Sequence, residues 1–294
     1  MIAFGCGWKP LQVDVHELNS EIKETLTADG VKLRYREWNP ETPRGVVIGI
    51  HGIRSHGAWY NDSCAHLCRS GYRVLFPDRR GSGLNREEMR SPVSYQRWIG
   101  DLEHFIGLAA RELPGKPVHL LGISWGGRLA AAVTAAGRVQ LKSLIFSTPG
   151  LVSLRDYGLR TKLAVAIALF FKNGREFVIP LEDPALFTDD PDERNYIEED
   201  AFGLRRVTAR FLLESRRLER CAKTGFAAIR IPLLLLLAGR DQIVDNGAVK
   251  ELFHSCASGD KVIKIYEKAR HTLEFDPCQE EYYSDLVKWL DNHG

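Results

Sequence analysis

The feature that most limits the fold of this chain is a series of short apolar runs that return at helix-length intervals. The runs are 46–50 in "RGVVIGIHG", "YRVLFPD" (72–78), "PVHLLG" (117–122), "LKSLIFS" (141–147), "IPLLLLLAG" (231–239) and "KVIKIYE" (261–267). They are too short for helices and most do not alternate polar with apolar, which marks strands buried on both faces. Between most of them lie segments long enough for a helix: "AWYNDSCAHLCRSG", "SYQRWIGDLEHFIGLAARE", "WGGRLAAAVTAA", "GAVKELFHSCAS" and "EEYYSDLVKWLDNH". Strand and helix in turn predict an α/β chain with a mainly parallel central sheet and helices on both faces. Upstream, "TLTADGVKLRYREW" reads as two more strands joined by a turn at Asp29-Gly30. A hydrophobic content of 44% in 294 residues is ample for such a core.

One stretch breaks the rhythm. Residues 151–230 hold no convincing buried strand but contain "LRTKLAVAIALFF" (159–171), apolar nearly all round, and "FGLRRVTARFLLESRRLE" (202–219), whose Leu204, Val207, Phe211 and Leu218 form a helical stripe. The expected organisation is a core of 1–150 and 231–294 with a helical cap, 151–230, inserted between two strands. "LEDPALFTDDPDERNYIEED" is acidic and the second helix is rich in arginine, a pattern read as a solvated face rather than a binding patch. The segment 159–171 is too apolar for a solvated helix and too short to span a bilayer, so it must face the core, a ligand or a lipid surface.

Forty basic against thirty-eight acidic side chains, a net charge of +2, argue against nucleic acid as a main partner and against a polybasic anchor. The six cysteines are scattered without C-x-x-C pairs, as expected of free thiols in a reducing, cytoplasmic setting. The opening "MIAFGCGWKP" is too short and too lacking in positive charge for a secretory signal. The alternative is a lipid anchor on Cys6, which requires a further segment upstream. No apolar run reaches the roughly 18 residues of a membrane-spanning helix.

Chemistry gathers around "LLGISWGG" (120–127), in which Ser124 stands between Gly122 and Gly126 directly after a strand. A serine on a sharp strand-to-helix turn needs small neighbours, because a Cβ at either glycine would meet the adjoining strand or helix. G-x-S-x-G is the nucleophile elbow of α/β-hydrolases. A serine hydroxyl needs a general base, itself oriented by a carboxylate, and in an open α/β sheet such groups collect at the carboxyl ends of strands. "LLLLLAGRDQIVD" puts Asp241 just past one strand and "KVIKIYEKARHTLEFD" puts His271 just past the next, in the chain order the elbow predicts. Asp245 reads better as a helix cap. His104 and His254 fall within helical patterns, and His51, at a strand end before a glycine, fits a loop-shaping role. For an oxyanion hole the N–H of Trp125, after the serine, and that of Ile53 in "IHGIRSHGAWY" are the expected donors.

With those pieces in family order, "ADGVKLRYREW", "HGIRSHGAWY", "DRRGSG", "GISWGG", "AGRDQIVDN" and "ARHTLEFD", the chain from about residue 20 onward resembles the monoacylglycerol lipase and lysophospholipase group of α/β-hydrolases, also filed with serine aminopeptidases. The resemblance implies Ser124 as nucleophile, Asp241 as acid, His271 as base, and the amides of Ile53 and Trp125 as oxyanion donors. Two departures stand out: Ser82 in "DRRGSG", where the group usually has histidine, and bulky Trp125, which is expected to narrow the acyl pocket. The implied activity is hydrolysis of a small acyl ester, a monoacylglycerol, lysophospholipid or similar monoester, with no metal or organic cofactor. The alternatives are a serine aminopeptidase, which needs an acidic group in the cap, and a small-ester carboxylesterase. The apolar segment 159–171 is expected either to roof an acyl-chain pocket or to pack on the core, and the cap to touch a lipid surface transiently.

Overall fold

The structure, a computed structural model, describes residues 20–90, 94–171 and 174–294. Cys6 lies outside them. In chain order the elements are β1 (Glu21–Leu26), β2 (Lys32–Trp38), β3 (Gly45–Ile50), α1 (Asn61–Arg69), β4 (Tyr72–Pro77), α2 (Tyr95–Glu112), β5 (Val118–Ile123), α3 (Trp125–Ala136) and β6 (Ser143–Ser147). There follow α4 (Leu159–Phe171), β7 (Glu176–Val178), α5 (Pro191–Glu199), β8 (Arg206–Thr208), α6 (Ala209–Gly225), β9 (Leu233–Ala238), α7 (Asn246–His254), β10 (Lys261–Tyr266) and α8 (Gln279–Asn292).

Eight strands form one sheet in the order β1-β2-β4-β3-β5-β6-β9-β10. The β1–β2 and β2–β4 pairs are antiparallel and every later pair is parallel. The unalternating runs have their reason here: β3, β4, β5, β6 and β9 are buried at every residue, with strands on both sides and helices above and below. At the far edge β10 leaves Val262 and Ile265 partly open to solvent. Against the sheet, α1 packs with α8 and α2 with α3. Helix α2 starts where Ser94 Oγ accepts from the Arg97 amide, and α3 stops at Gly137, whose φ of 65° suits a residue without a Cβ.

The chain between β6 and β9 departs from its expected all-helical form. Val207 lies in a short strand, β8, paired with β7, and the helix begins only at Ala209, where Thr208 Oγ1 accepts from the Phe211 amide. Leu204 and Val207 are buried as the stripe requires, but not on a helix. β-branched Val207 and Thr208 suit a strand followed by a cap better than a helix interior. The acidic stretch supplies a helix of its own, α5, opened by Pro191 and capped by Asp190, which accepts from the amides of Asp192 and Glu193. Helix α4 is the larger surprise. Leu163, Ile167 and Phe170 are 62%, 47% and 81% exposed, and within it only Ala168 is buried.

Candidate active site

The turn between β5 and α3 carries Ser124 with φ 50° and ψ −120°, a conformation L-residues avoid and that costs on the order of 1–3 kcal/mol. It is held from two sides: the Ser124 amide donates to the Ser147 carbonyl at 3.0 Å, and the Ser124 carbonyl accepts from Gly150 at 2.6 Å. The flanking glycines are dictated by close neighbours. A Cβ on Gly126 would sit 2.3 Å from the carbonyl oxygen of Ile50, and one on Gly122 would sit 2.7 Å from the Cβ of Ala130. Ser124 is thereby held at the carboxyl end of the central strand.

The loops after β9 and β10 bring the other two expected residues to it. His271 Nε2 lies 2.8 Å from Ser124 Oγ, and His271 Nδ1 lies 2.8 Å from Asp241 Oδ2. The second oxygen of Asp241 accepts from the amides of Ile243 and Val244 at 2.8 and 3.0 Å, which fixes the carboxylate's orientation. Both side chains are almost wholly buried. Asp245 instead caps α7, accepting from the Ala248 amide at 3.0 Å. His104 and His254 lie in α2 and α7. His51 is buried beneath the loops: its Nδ1 donates to the Gly52 carbonyl while Nε2 accepts from the Arg79 amide, with Ser82 Oγ 3.1 Å from it. Burial, with Arg79 near, pulls its imidazole down to about 3, so it stays neutral. Ser82 donates to the Arg79 carbonyl and so takes part in the loop's packing.

A cavity of about 390 Å³ opens beside Ser124, with Ile53 and Trp125 in its wall. Among the described residues, neither of those two amides donates to a loop, cap or side-chain acceptor. The Trp125 indole reaches away from the serine to α6, where its N–H donates to Ser215 Oγ at 2.7 Å and its ring stacks on Phe211. Apolar wall is supplied by Val152, Ile179, Leu181, Leu212, Ile243 and Val244, and no residue of α4 contributes. The expected acyl roof therefore comes from β7's trailing segment and α6, with α4 outside.

The arginine-rich helix is only partly the solvated face its composition suggested. Arg216, Glu219 and Lys223 line the cavity together with Arg128 of α3, which sequence reasoning passed over. The signal lay in the four-residue spacing of Ser124 and Arg128, one helical turn, and in the three- and four-residue spacing along α6. Burial pushes the Glu219 carboxyl up, but Arg128, Lys223 and Arg216 outweigh it and hold it below the ordinary range. The acidic stretch sends no carboxylate into the cavity wall. Its Asp189 bonds Arg194, Arg240 and Arg270, and its Asp200 accepts from the Trp59 indole at 2.8 Å and faces His56.

Comparison with known proteins gives the family of the chain. Residues 41–278 match the serine aminopeptidase S33 family, which is most of the chain. The chain belongs to that family. Among curated relatives, the monoacylglycerol lipase of Mycolicibacterium smegmatis is 25% identical over 90% of this chain and 94% of its own length. Phospholipase YtpA of Bacillus subtilis is 27% identical over 87% and 98%. In fold, the chain is similar to a soluble variant of the Saccharomyces cerevisiae monoglyceride lipase crystallised with a substrate analog, with a TM-score of 0.83 and 21% identity over 97% of this chain and 99% of that one. This S33 member has an α/β-hydrolase fold and is a serine ester hydrolase of the lipase and esterase type.

Proposed function

We propose that Ser124, His271 and Asp241 form the catalytic triad and that the enzyme hydrolyses carboxylic monoesters through an acyl-enzyme. The observation that carries this reading is the unbroken chain of two 2.8 Å contacts from a buried carboxylate through an imidazole to a serine in a strained turn. Ser124 Oγ attacks the acyl carbonyl as His271 Nε2 takes its proton. Asp241 holds Nδ1–H and stabilises the imidazolium. The amides of Ile53 and Trp125 receive the charge that develops on the carbonyl oxygen. His271 then passes the proton to the leaving alcohol, and water releases the acyl group by the same route.

Residues 151–230 serve as the cap over a core of 1–150 and 231–294, since Ile179, Leu181, Leu212 and Ser215 from this stretch wall the cavity beside Ser124. At about 390 Å³ the cavity is at the small end for ligand pockets, which suits a monoester such as a monoacylglycerol or lysophospholipid. The exposed apolar face of α4 is the part of the cap that meets a lipid surface. An aminopeptidase is disfavoured because both cavity carboxylates are already engaged by cations, Glu219 by Arg128, Arg216 and Lys223 and Asp156 by Lys162. The test is a panel of ester, thioester and aminoacyl substrates on the purified protein. Turnover of esters with aminoacyl amides refused is the expected result; preference for aminoacyl amides overturns the reading.

A further inference from the structure

Resting on the reading that Ser124 cleaves a monoester in this cavity, we infer that the substrate carries an anionic group, a phosphate or a carboxylate, bound by Arg128 with Arg216 and Lys223 at the cavity's edge. The charged residues lining the cavity are Arg128, Arg155, Arg216 and Lys223 against Asp156 and Glu219. Both carboxylates are already engaged. Asp156 binds Lys162 at 2.6 Å, and Glu219 faces Arg128 at 3.5 Å, Arg216 at 3.2 Å and Lys223 at 2.7 Å. One carboxylate shared among three cations leaves an excess of positive charge one helical turn from the nucleophile.

Arg128 is the centre of that excess. Its side chain is only 13% exposed. Its Nε donates to the carbonyl of Gly150, the residue whose amide is bound to the Ser124 carbonyl, so guanidinium and nucleophile are braced by one glycine. The rest of the guanidinium is poorly matched. Nη1 stands 3.4 Å from Ser215 Oγ and 3.5 Å from Glu219, and among the described residues Nη2 makes no hydrogen bond to protein but is not sealed from solvent, so it is open to a ligand. A cation taken this far out of water is costly unless its donors are met. A phosphate or carboxylate offers two oxygens in the geometry of the guanidinium fork. Arg216 and Lys223, on the more open side, add attraction that salt screens.

The anion can sit on either side of the ester, and paired esters separate the two. Octanoylglycerol 3-phosphate against octanoylglycerol places it on the alcohol; p-nitrophenyl hydrogen adipate against p-nitrophenyl hexanoate places it on the acyl chain. In at least one pair the anionic member should show a kcat/KM ten-fold or more above the neutral one at low salt, with the ratio falling as salt rises. Arg128→Gln should cut that ratio at least ten-fold. Because Arg128 also braces Gly150, the double variant Arg216→Gln/Lys223→Gln provides a second reading through open side chains, with an expected loss of about three-fold. Neutral members equal or preferred in both pairs, or a ratio unmoved in both variants, overturns the inference. Binding of the four esters to the Ser124→Ala protein by titration calorimetry reads charge preference without turnover. No Ser124-dependent turnover alongside a retained binding preference would sink the hydrolase reading and keep the anion site. Turnover with no binding preference for the charged members would sink the anion site and keep the hydrolase.

Discussion

Strand β9, "LLLLLA", and the 163–171 part of helix α4, "LAVAIALFF", are both apolar throughout, yet every residue of the first is buried and most of the second faces solvent. The strand is enclosed by β6 and β10 on its edges, whereas α4 leans through Ala164, Val165, Ala168 and Leu169 on a small cluster with Phe177 of β7 and Ala209 and Leu212 of α6. Apolar content says that a segment must be covered; only its neighbours say by what. The same contrast divides the molecule. Backbone contacts in the core leave the Ser124 turn almost no freedom, while the stretch 151–230 shapes a cavity whose charge and rim the fold does not dictate.

The sharpest way to break this division is at the turn. Ser124→Ala removes one oxygen and no packing, so the fold should persist while ester hydrolysis falls by about 10⁶-fold, the scale seen when a serine nucleophile is deleted. Labelling by a fluorophosphonate probe should vanish with it; a labelled alanine variant would mean another nucleophile. Next in size is the carboxylate. Asp241→Asn should lower kcat by roughly 10⁴-fold by favouring the wrong imidazole tautomer. Asp245→Asn, at a helix cap, should leave kcat near its original value, because asparagine caps about as well. Reversed effects would assign the orienting role to Asp245.

Much of the core was legible in the sequence because burial leaves a direct trace. A strand covered on both faces reads as an unbroken apolar run, and the G-x-S-x-G spacing records two collisions, with the Ile50 carbonyl and the Ala130 methyl. Asp241 and His271 could be found because each follows a strand that is itself legible. The cap was harder. Val207 lies in a three-residue strand that pairs with Phe177, some thirty positions away, and no local period encodes such a partner. Arg128 sat unnoticed in an alanine-rich helix, since a lone arginine there looks like a surface residue until α6 is laid over it.

Glycines sharpen the comparison on a smaller scale. In the core, a methyl on Gly126 would press on the Ile50 carbonyl, an atom that cannot swing aside. Gly126→Ala should therefore cost on the order of 1–3 kcal/mol, with loss of activity as the Ser124 turn shifts. At the start of α4, a Cβ on Gly158 meets nothing within 4 Å. Gly158→Ala should change stability by about 0.5 kcal/mol or less. Chemical denaturation of both variants checks the pair, and similar midpoint shifts would mean that 151–230 is packed as tightly as the core.

The smallest effect concerns α4 itself. If the helix read the acyl chain, replacing Ile167 and Phe170 by serine would flatten the rise of kcat/KM with chain length. The cavity wall runs instead through Val152, Ile179 and Leu212. On dissolved p-nitrophenyl esters from butyrate to octanoate, Leu212→Ser should flatten the rise, since each methylene buried contributes about 0.8 kcal/mol. Ile167→Ser/Phe170→Ser should leave the slope in place. Its effect should appear at an interface: Phe170 is 81% exposed and Phe171 68%, a pair of rings with no protein cover to lose on entering lipid. Removing the Phe170 ring and the Ile167 side chain should lower the ratio of turnover on vesicle-borne to dissolved octanoyl ester several-fold, as weaker partition reduces the enzyme held at the surface. A flattened chain-length slope with an unchanged vesicle ratio would move α4 from the lipid side of the cap to the substrate side.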